Sequence, residues 1–217
     1  GQPLGLAVDD SNDLFAALGN RHQLSIVSPE QETAVYAHSC NGRRFAGPRA
    51  LCFSPTGSLL FSDDDGTIYS ADIEGEVHKL ASGLDAPNGL IYSEDAGSLY
   101  VVESGKNRIV SLEVADDDTL GDPKEFYAFS DGGPPHSLLF DTESVLYVTR
   151  DDAGLSRINP DGQLIDTLAM PGPRPQGMTF GGIDYDELFI AEAENGCVYR
   201  LKLDHAGQRP FAGPRAI

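Results

Sequence analysis

The chain has 217 residues, 40% of them hydrophobic and 8% aromatic, enough apolar material for a sizeable core and too much for a disordered or fibrous chain. Its 34 acidic and 15 basic residues give a formal charge of −19, a field that repels phosphate backbones and anionic lipid and so argues against nucleic-acid and membrane partners. No apolar run approaches the roughly 20 residues that cross a bilayer, and Gly1-Gln2-Pro3 shows neither the basic start nor the apolar stretch of a signal peptide.

The first predicted element is an apolar run opened by a proline, Pro3-Leu4-Gly5-Leu6-Ala7-Val8, and the same signature returns along the chain. It recurs as Pro48-Arg49-Ala50-Leu51-Cys52-Phe53, Pro87-Asn88-Gly89-Leu90-Ile91-Tyr92, Pro135-His136-Ser137-Leu138-Leu139-Phe140 and Pro175-Gln176-Gly177-Met178-Thr179-Phe180. A sixth copy begins at Pro214-Arg215-Ala216-Ile217, and the prolines lie 45, 39, 48, 40 and 39 residues apart. Each first strand is followed by a turn such as Ser54-Pro55-Thr56-Gly57 and a second apolar run. The second runs are Leu14–Ala17, Leu59–Ser62, Leu99–Val102, Val145–Val148 and Leu188–Ala191. A third strand follows, as at Thr67–Ser70, Arg108–Ser111 and Cys197–Arg200, and a shorter polar fourth segment closes the unit, as at Val77–Leu80. Such runs are too short for helices and rich in β-branched and aromatic residues. Four strands per period of about 40 residues predict an all-β chain, a β-propeller of four-stranded blades forming one domain over 1–217. Five complete repeats leave two arrangements open, a five-bladed ring or a six-bladed one with a blade missing.

In such a blade the innermost strand is expected to be buried on both faces and the outer strand to be polar. The residue after each proline then belongs to a ring, Leu4, Arg49, Asn88, His136 and Gln176, and side chains converging from several repeats are where a site is to be sought. Cys40, Cys52 and Cys197 are odd in number and lack CxxC spacing, so they are expected as reduced structural thiols in a cytoplasmic setting. The acidic runs Asp63-Asp64-Asp65 and Asp116-Asp117-Asp118 lack the alternation of a calcium loop and are expected as solvated turns.

Several segments, in shared order, resemble the gluconolactonase, regucalcin and senescence-marker-protein family of six-bladed propellers. They are Asn41-Gly42-Arg43-Arg44-Phe45-Ala46-Gly47-Pro48, Ala86-Pro87-Asn88-Gly89-Leu90, Leu99-Tyr100-Val101 with Glu103 and Asn107-Arg108, and Phe180-Gly181-Gly182 with Glu187–Ile190. The resemblance implies a lactone hydrolase that acts on a small sugar-derived substrate, with a divalent cation, usually calcium, in the central channel. Of the ligand positions it implies, Asn88 is retained. Arg49 stands in place of a second asparagine, His136 stands in place of an aspartate, and the first-blade glutamate has no counterpart. The metal site is therefore expected to be diverged.

Three uses of the ring follow. In the preferred one, a lactonase, His136 is the general base, Arg49 stabilises the oxyanion, Asn88 orients the carbonyl or holds a metal, and Glu103, Asp63 and Gln176 bind sugar hydroxyls. The second is a binding or scaffold propeller without catalysis, in which Arg49, Asn88, His136 and Gln176 hold an anionic sugar acid or a peptide carboxylate. The third is a transition-metal site at His136. Each residue also has a plain structural use: Asn88 precedes Gly89 in a common turn pair, His136 follows two prolines, and Arg49 pairs with a surface carboxylate.

Overall fold

The computed structural model describes residues 2–209; the sixth proline repeat, at Pro214–Ile217, lies outside them. The first sheet is β1 (Gly5–Val8), β2 (Leu14–Leu18), β3 (Gln23–Val27) and β4 (Thr33–Ala37), and a small hairpin, β5 (Ser39–Cys40) and β6 (Arg43–Arg44), follows it. The second sheet is β7 (Pro48–Phe53), β8 (Leu59–Asp63), β9 (Thr67–Ala71) and β10 (Val77–Ala81). The third is β11 (Pro87–Ser93), β12 (Ser98–Glu103), β13 (Arg108–Glu113) and β14 (Lys124–Ala128). The fourth is β15 (Pro135–Phe140), β16 (Leu146–Arg150), β17 (Gly154–Ile158) and β18 (Leu164–Leu168). The fifth has three strands among the described residues, β19 (Pro175–Gly181), β20 (Glu187–Glu192) and β21 (Cys197–Lys202).

In each sheet the strands follow chain order, the up-and-down blade expected from the repeats, and the fold class is a β-propeller, with five blades among the described residues. The two helical segments, Gly19–Arg21 and Ser104–Lys106, are single 3₁₀ turns, and no helix among the described residues is long and apolar enough to cross a membrane. The chain divides into two compact units, 2–101 with Leu112–Pro123, and Val102–Ser111 with Lys124–Arg209.

Full burial falls on the middle strands rather than on the first. Every residue of β8, β9, β12 and β16 is buried, whereas β7, β11 and β15 mix buried with half-buried positions. A second strand has hydrogen-bonded neighbours on both sides, while a first strand is the sheet's edge. Arg49, Asn88, His136 and Gln176 all occupy half-buried positions of first strands. In β1 the alternation leaves Leu6 and Val8 about half exposed.

The core of the first unit is aromatic. Phe45, Phe61 and Tyr69 meet with ring centroids 5.1–5.6 Å apart, and Phe15 contacts Phe53 edge-on at 5.5 Å, geometries that add about 0.5–1.5 kcal/mol per pair beyond area burial. In the second unit Tyr147, Leu155, Phe180, Leu188 and Ile190 form the buried cluster. None of the three cysteines forms a disulfide; Cys52 lies in β7, where burial pushes its thiol up to about 12.

A left-handed residue precedes or opens the third strand of every blade: His22, Gly66, Asn107, Gly154 and Gly196, with φ from +51° to +99°. The tight turn requires that conformation, which Gly, Asn and His tolerate best. At Gly66 the space is closed too, because a Cβ would lie 2.3 Å from the Leu84 carbonyl oxygen, whereas at Gly196 nothing lies within 4 Å. Gly196→Ala is therefore expected to cost only the left-handed penalty, about 1–2 kcal/mol. Gly66→Ala should cost distinctly more, and urea unfolding of the two variants measures the difference.

Candidate functional site

The site residues follow from one local construction repeated in each blade. The proline that opens the first strand sits opposite the last residue of the second strand: Pro48 faces Asp63, Pro135 faces Arg150 and Pro175 faces Glu192. This last residue is a buried polar side chain in four blades, Asp63, Glu103, Arg150 and Glu192, each at most 2% exposed. The next residue's N–H donates to the carbonyl just before the proline. Asp64 bonds Gly47 at 3.1 Å, Asp151 bonds Pro134 at 3.2 Å and Ala193 bonds Arg174 at 3.0 Å.

Asp63 accepts the N–H groups of Ala46 at 2.8 Å and Gly47 at 2.5 Å. Glu192 accepts those of Arg174 at 3.0 Å, Glu194 at 3.2 Å and Asn195 at 2.6 Å. Glu103 takes Lys106 Nζ at 2.7 Å and Arg108 Nε at 2.6 Å. The oxygens of Asp63 and Glu103, expected to hold sugar hydroxyls, are thus buried and used by the protein itself. The acidic runs are likewise not wholly solvated: besides Asp63, Asp118 is buried and accepts the hydroxyls of Ser54, at 2.8 Å, and Thr56.

In the first unit, Arg49 Nε forms an ion pair with Asp64 Oδ1, each side chain about two-fifths exposed. This is the surface-carboxylate pairing, and exposed pairs of this kind contribute about 0–1 kcal/mol. Ser62 Oγ accepts the Ala50 N–H at 3.2 Å and donates to the Asn88 carbonyl at 2.8 Å, which fixes the backbone of Asn88. Thr149 does the same in the second unit, accepting the Ser137 N–H at 3.1 Å and donating to the Gln176 carbonyl at 2.8 Å.

The second unit brings two expected residues together on a third. His136 Nε2 lies 3.1 Å from Asp151 Oδ1, and Gln176 Nε2 donates to the same oxygen at 3.1 Å. His136 and Asp151 are 15% and 20% exposed, so the carboxylate is screened yet reachable. Asp151, together with the hydroxyls of Ser62 and Thr149, is what sequence reasoning missed. The signal available for Asp151 was its repeat position, one past the second strand, where Asp64 stands opposite Arg49.

Among the described residues, neither unit's ring positions supply a calcium cage. In the first, Arg49 brings a guanidinium where an oxygen is needed, and the Asp63 oxygens accept backbone N–H groups. In the second, the charged oxygen donor of the group is Asp151, with a histidine and an amide beside it, against the roughly 6–8 oxygens that calcium takes. Elsewhere, Asp72, Glu76 and His78 have ligand-type atoms within 4.8 Å of one another on the β9–β10 turn. Asp72 Oδ1 there accepts the N–H groups of Glu74 and Glu76, at 3.0 and 2.9 Å.

A family profile described as "SMP-30/Gluconolactonase/LRE-like region" matches residues 38–194, which include every one of these side chains. The chain belongs to this family. Regucalcin of Gallus gallus is 28% identical over 179 residues, covering 79% of this chain and 56% of its own length. The 6-deoxy-6-sulfogluconolactonase of Pseudomonas putida is 25% identical over 166 residues, covering 68% of this chain and 57% of the relative. The chain thus spans about half the length of the curated relatives it matches. A solved gluconolactonase of Xanthomonas campestris superposes with TM-score 0.82 at 23% identity, covering 91% of this chain and 71% of that one; this likeness bears on the fold.

The buried carboxylates of this SMP-30/gluconolactonase-like chain have opposite pH signatures. For Asp63, burial outweighs the backbone N–H groups and raises its pKa above the ordinary aspartate range. The folded state then binds the proton more tightly, so the stability contribution is full at low pH and is lost as pH rises through the raised value. For Glu192, burial raises the pKa, but the N–H groups of Asn195, Arg174 and Glu194 with the Arg174 charge outweigh it and the net shift is downward. Its contribution is present above the ordinary glutamate value and lost as pH falls through the lowered one. Urea unfolding between about pH 3 and 7 should therefore show the deficit of Asp63→Asn shrinking as pH rises, and that of Glu192→Gln shrinking as pH falls.

Proposed function

We propose that the chain hydrolyses a lactone, a cyclic ester of a sugar-derived acid, with His136, Asp151 and Gln176 at the chemical centre. The observation that carries this is the shared oxygen: His136 Nε2 and Gln176 Nε2 each lie 3.1 Å from Asp151 Oδ1. The substrate class is supported by the relatives named for lactonases, among them the Pseudomonas putida enzyme and a gluconolactonase of Zymomonas mobilis, 24% identical over 225 residues.

In this reading the ring carries its proton on Nε2, the nitrogen 3.1 Å from Asp151 Oδ1, and Nδ1 is the atom that takes a proton from the attacking water. The water oxygen bonds to the lactone carbonyl carbon, the ring C–O bond then breaks, and the proton returns from Nδ1 to the leaving alkoxide. The product is the open hydroxy acid. Asp151 holds the ring's orientation and stabilises the imidazolium between the two transfers, and the Gln176 amide holds Asp151.

The test is turnover of a panel of five- and six-membered sugar lactones by the purified chain, with and without added divalent cation. His136→Gln should lower kcat/KM by about 10²–10⁴, and Asp151→Asn should lower kcat more than it changes KM. Absence of turnover by the folded wild type under every metal condition, or full activity in His136→Gln, would refute the reading.

A further inference from the structure

Four blades place a buried polar residue at the end of the second strand, and three of the four are carboxylates that accept hydrogen bonds. Arg150 is the exception and solves the same problem with the opposite chemistry. It is 1% exposed, and its Nη2 donates to the main-chain carbonyl of Asp131, with Asp131 Oδ1 at 3.3 Å and Ser156 Oγ 3.5 Å from Nη1. Its Cζ lies 3.9 Å over the Phe129 ring, a cation–π contact strengthened by burial. The Asp131 side chain itself is 84% exposed, so the firm anchor is the carbonyl rather than the carboxylate.

The loop it holds leads directly into His136. Gly132 sits so close that a Cβ there would lie 2.9 Å from Arg150 Nη2, and a Cβ on Gly133 would lie 2.6 Å from the Asp151 carbonyl oxygen. Two main-chain bonds close the contact: Gly133 N–H to Asp151 O at 2.8 Å and Asp151 N–H to Pro134 O at 3.2 Å. The loop therefore carries His136 at its end and is zipped to the backbone of Asp151. Its far end is fastened by Arg150, the residue next to Asp151.

We propose that Arg150 is a positioning residue. By gripping the Asp131 carbonyl it keeps the 131–135 loop against Asp151, and so sets the His136–Asp151 separation. Its consequence for rate rests on the lactone-hydrolase reading; its consequence for loop order does not. Arg150→Met leaves the carbonyl without its donor, and the loop opens at Gly133. Amide exchange at Gly133 and Asp151 should then rise about tenfold or more, with β16 and β17 interior amides at Val148 and Leu155 unchanged, because opening is local. If the chain hydrolyses lactones, kcat should fall about 10–100-fold with little change in KM, as expected for a misplacement near 1 Å. Arg150→Lys should restore part of both effects, and Asp131→Ala should be close to wild type in both.

Should Arg150→Met fail to fold, Gly133→Ala disturbs the same zipper from the loop side and should give the same pair of effects. Unchanged exchange at Gly133 and Asp151 in a folded variant overturns the inference, whatever the activity. Raised exchange in Arg150→Met beside a wild type that turns over no lactone upholds the clamp and refutes the proposed function instead. An Asp131→Ala variant as impaired as Arg150→Met would also overturn it, because the carboxylate and not the carbonyl would then be the anchor.

Discussion

Each blade must bring its chain back from the outer strand to the next first strand through a loop whose backbone N–H groups have no ladder to join. An unpaired buried N–H costs about 1–3 kcal/mol, and a proline at the start of the first strand offers no N–H of its own. The chain meets this with a polar side chain at the end of the second strand, opposite the proline. Asp63 accepts the loop N–H groups of Ala46 and Gly47 and Glu192 accepts that of Arg174, while Arg150 satisfies a loop carbonyl instead. The ring residues Arg49, His136 and Gln176 follow those prolines by one position, so their placement depends on these buried groups.

The strands themselves were legible because apolar runs of four to six residues separated by turn chemistry allow little else. The second runs appear almost where the pattern placed them: β2 and β8 run one residue further, β12 and β20 gain one at each end, and β16 starts at Leu146 and runs two residues further. The left-handed turn position is visible only after the repeats are aligned, since His22, Gly66, Asn107, Gly154 and Gly196 share a backbone requirement and not an identity. Burial was misjudged between strands, because composition does not distinguish a first strand at a sheet edge from a second strand flanked on both sides.

The site was legible by half. The proline repeat picked out His136 and Gln176, but the oxygen joining them belongs to Asp151, 15 residues beyond His136 in sequence and across the first hairpin. Strand pairing, not local pattern, makes them neighbours. Asp63 and Glu103, expected to bind sugar hydroxyls, are instead buried. Asp63 is closed by the N–H groups of Ala46 and Gly47 and Glu103 by Lys106 and Arg108, partners that an apolar pattern does not encode.

The comparison of Asp64 with Asp151 shows how one scaffold position yields two kinds of chemistry. Both follow a buried polar residue, and both face the side chain after the blade's proline. Asp64 meets a guanidinium that stays charged at any working pH, so its charge is already compensated and the pair is a partly exposed salt bridge. Asp151 meets an imidazole and an amide, groups that orient it without a permanent opposite charge. In the proposed hydrolysis its full electrostatic attraction is therefore available when a proton arrives on the imidazole, which is the moment a general base needs it. Replacing one first-strand residue, arginine by histidine, turns the same carboxylate position from one half of a permanent ion pair into the partner of a group that gains and loses charge.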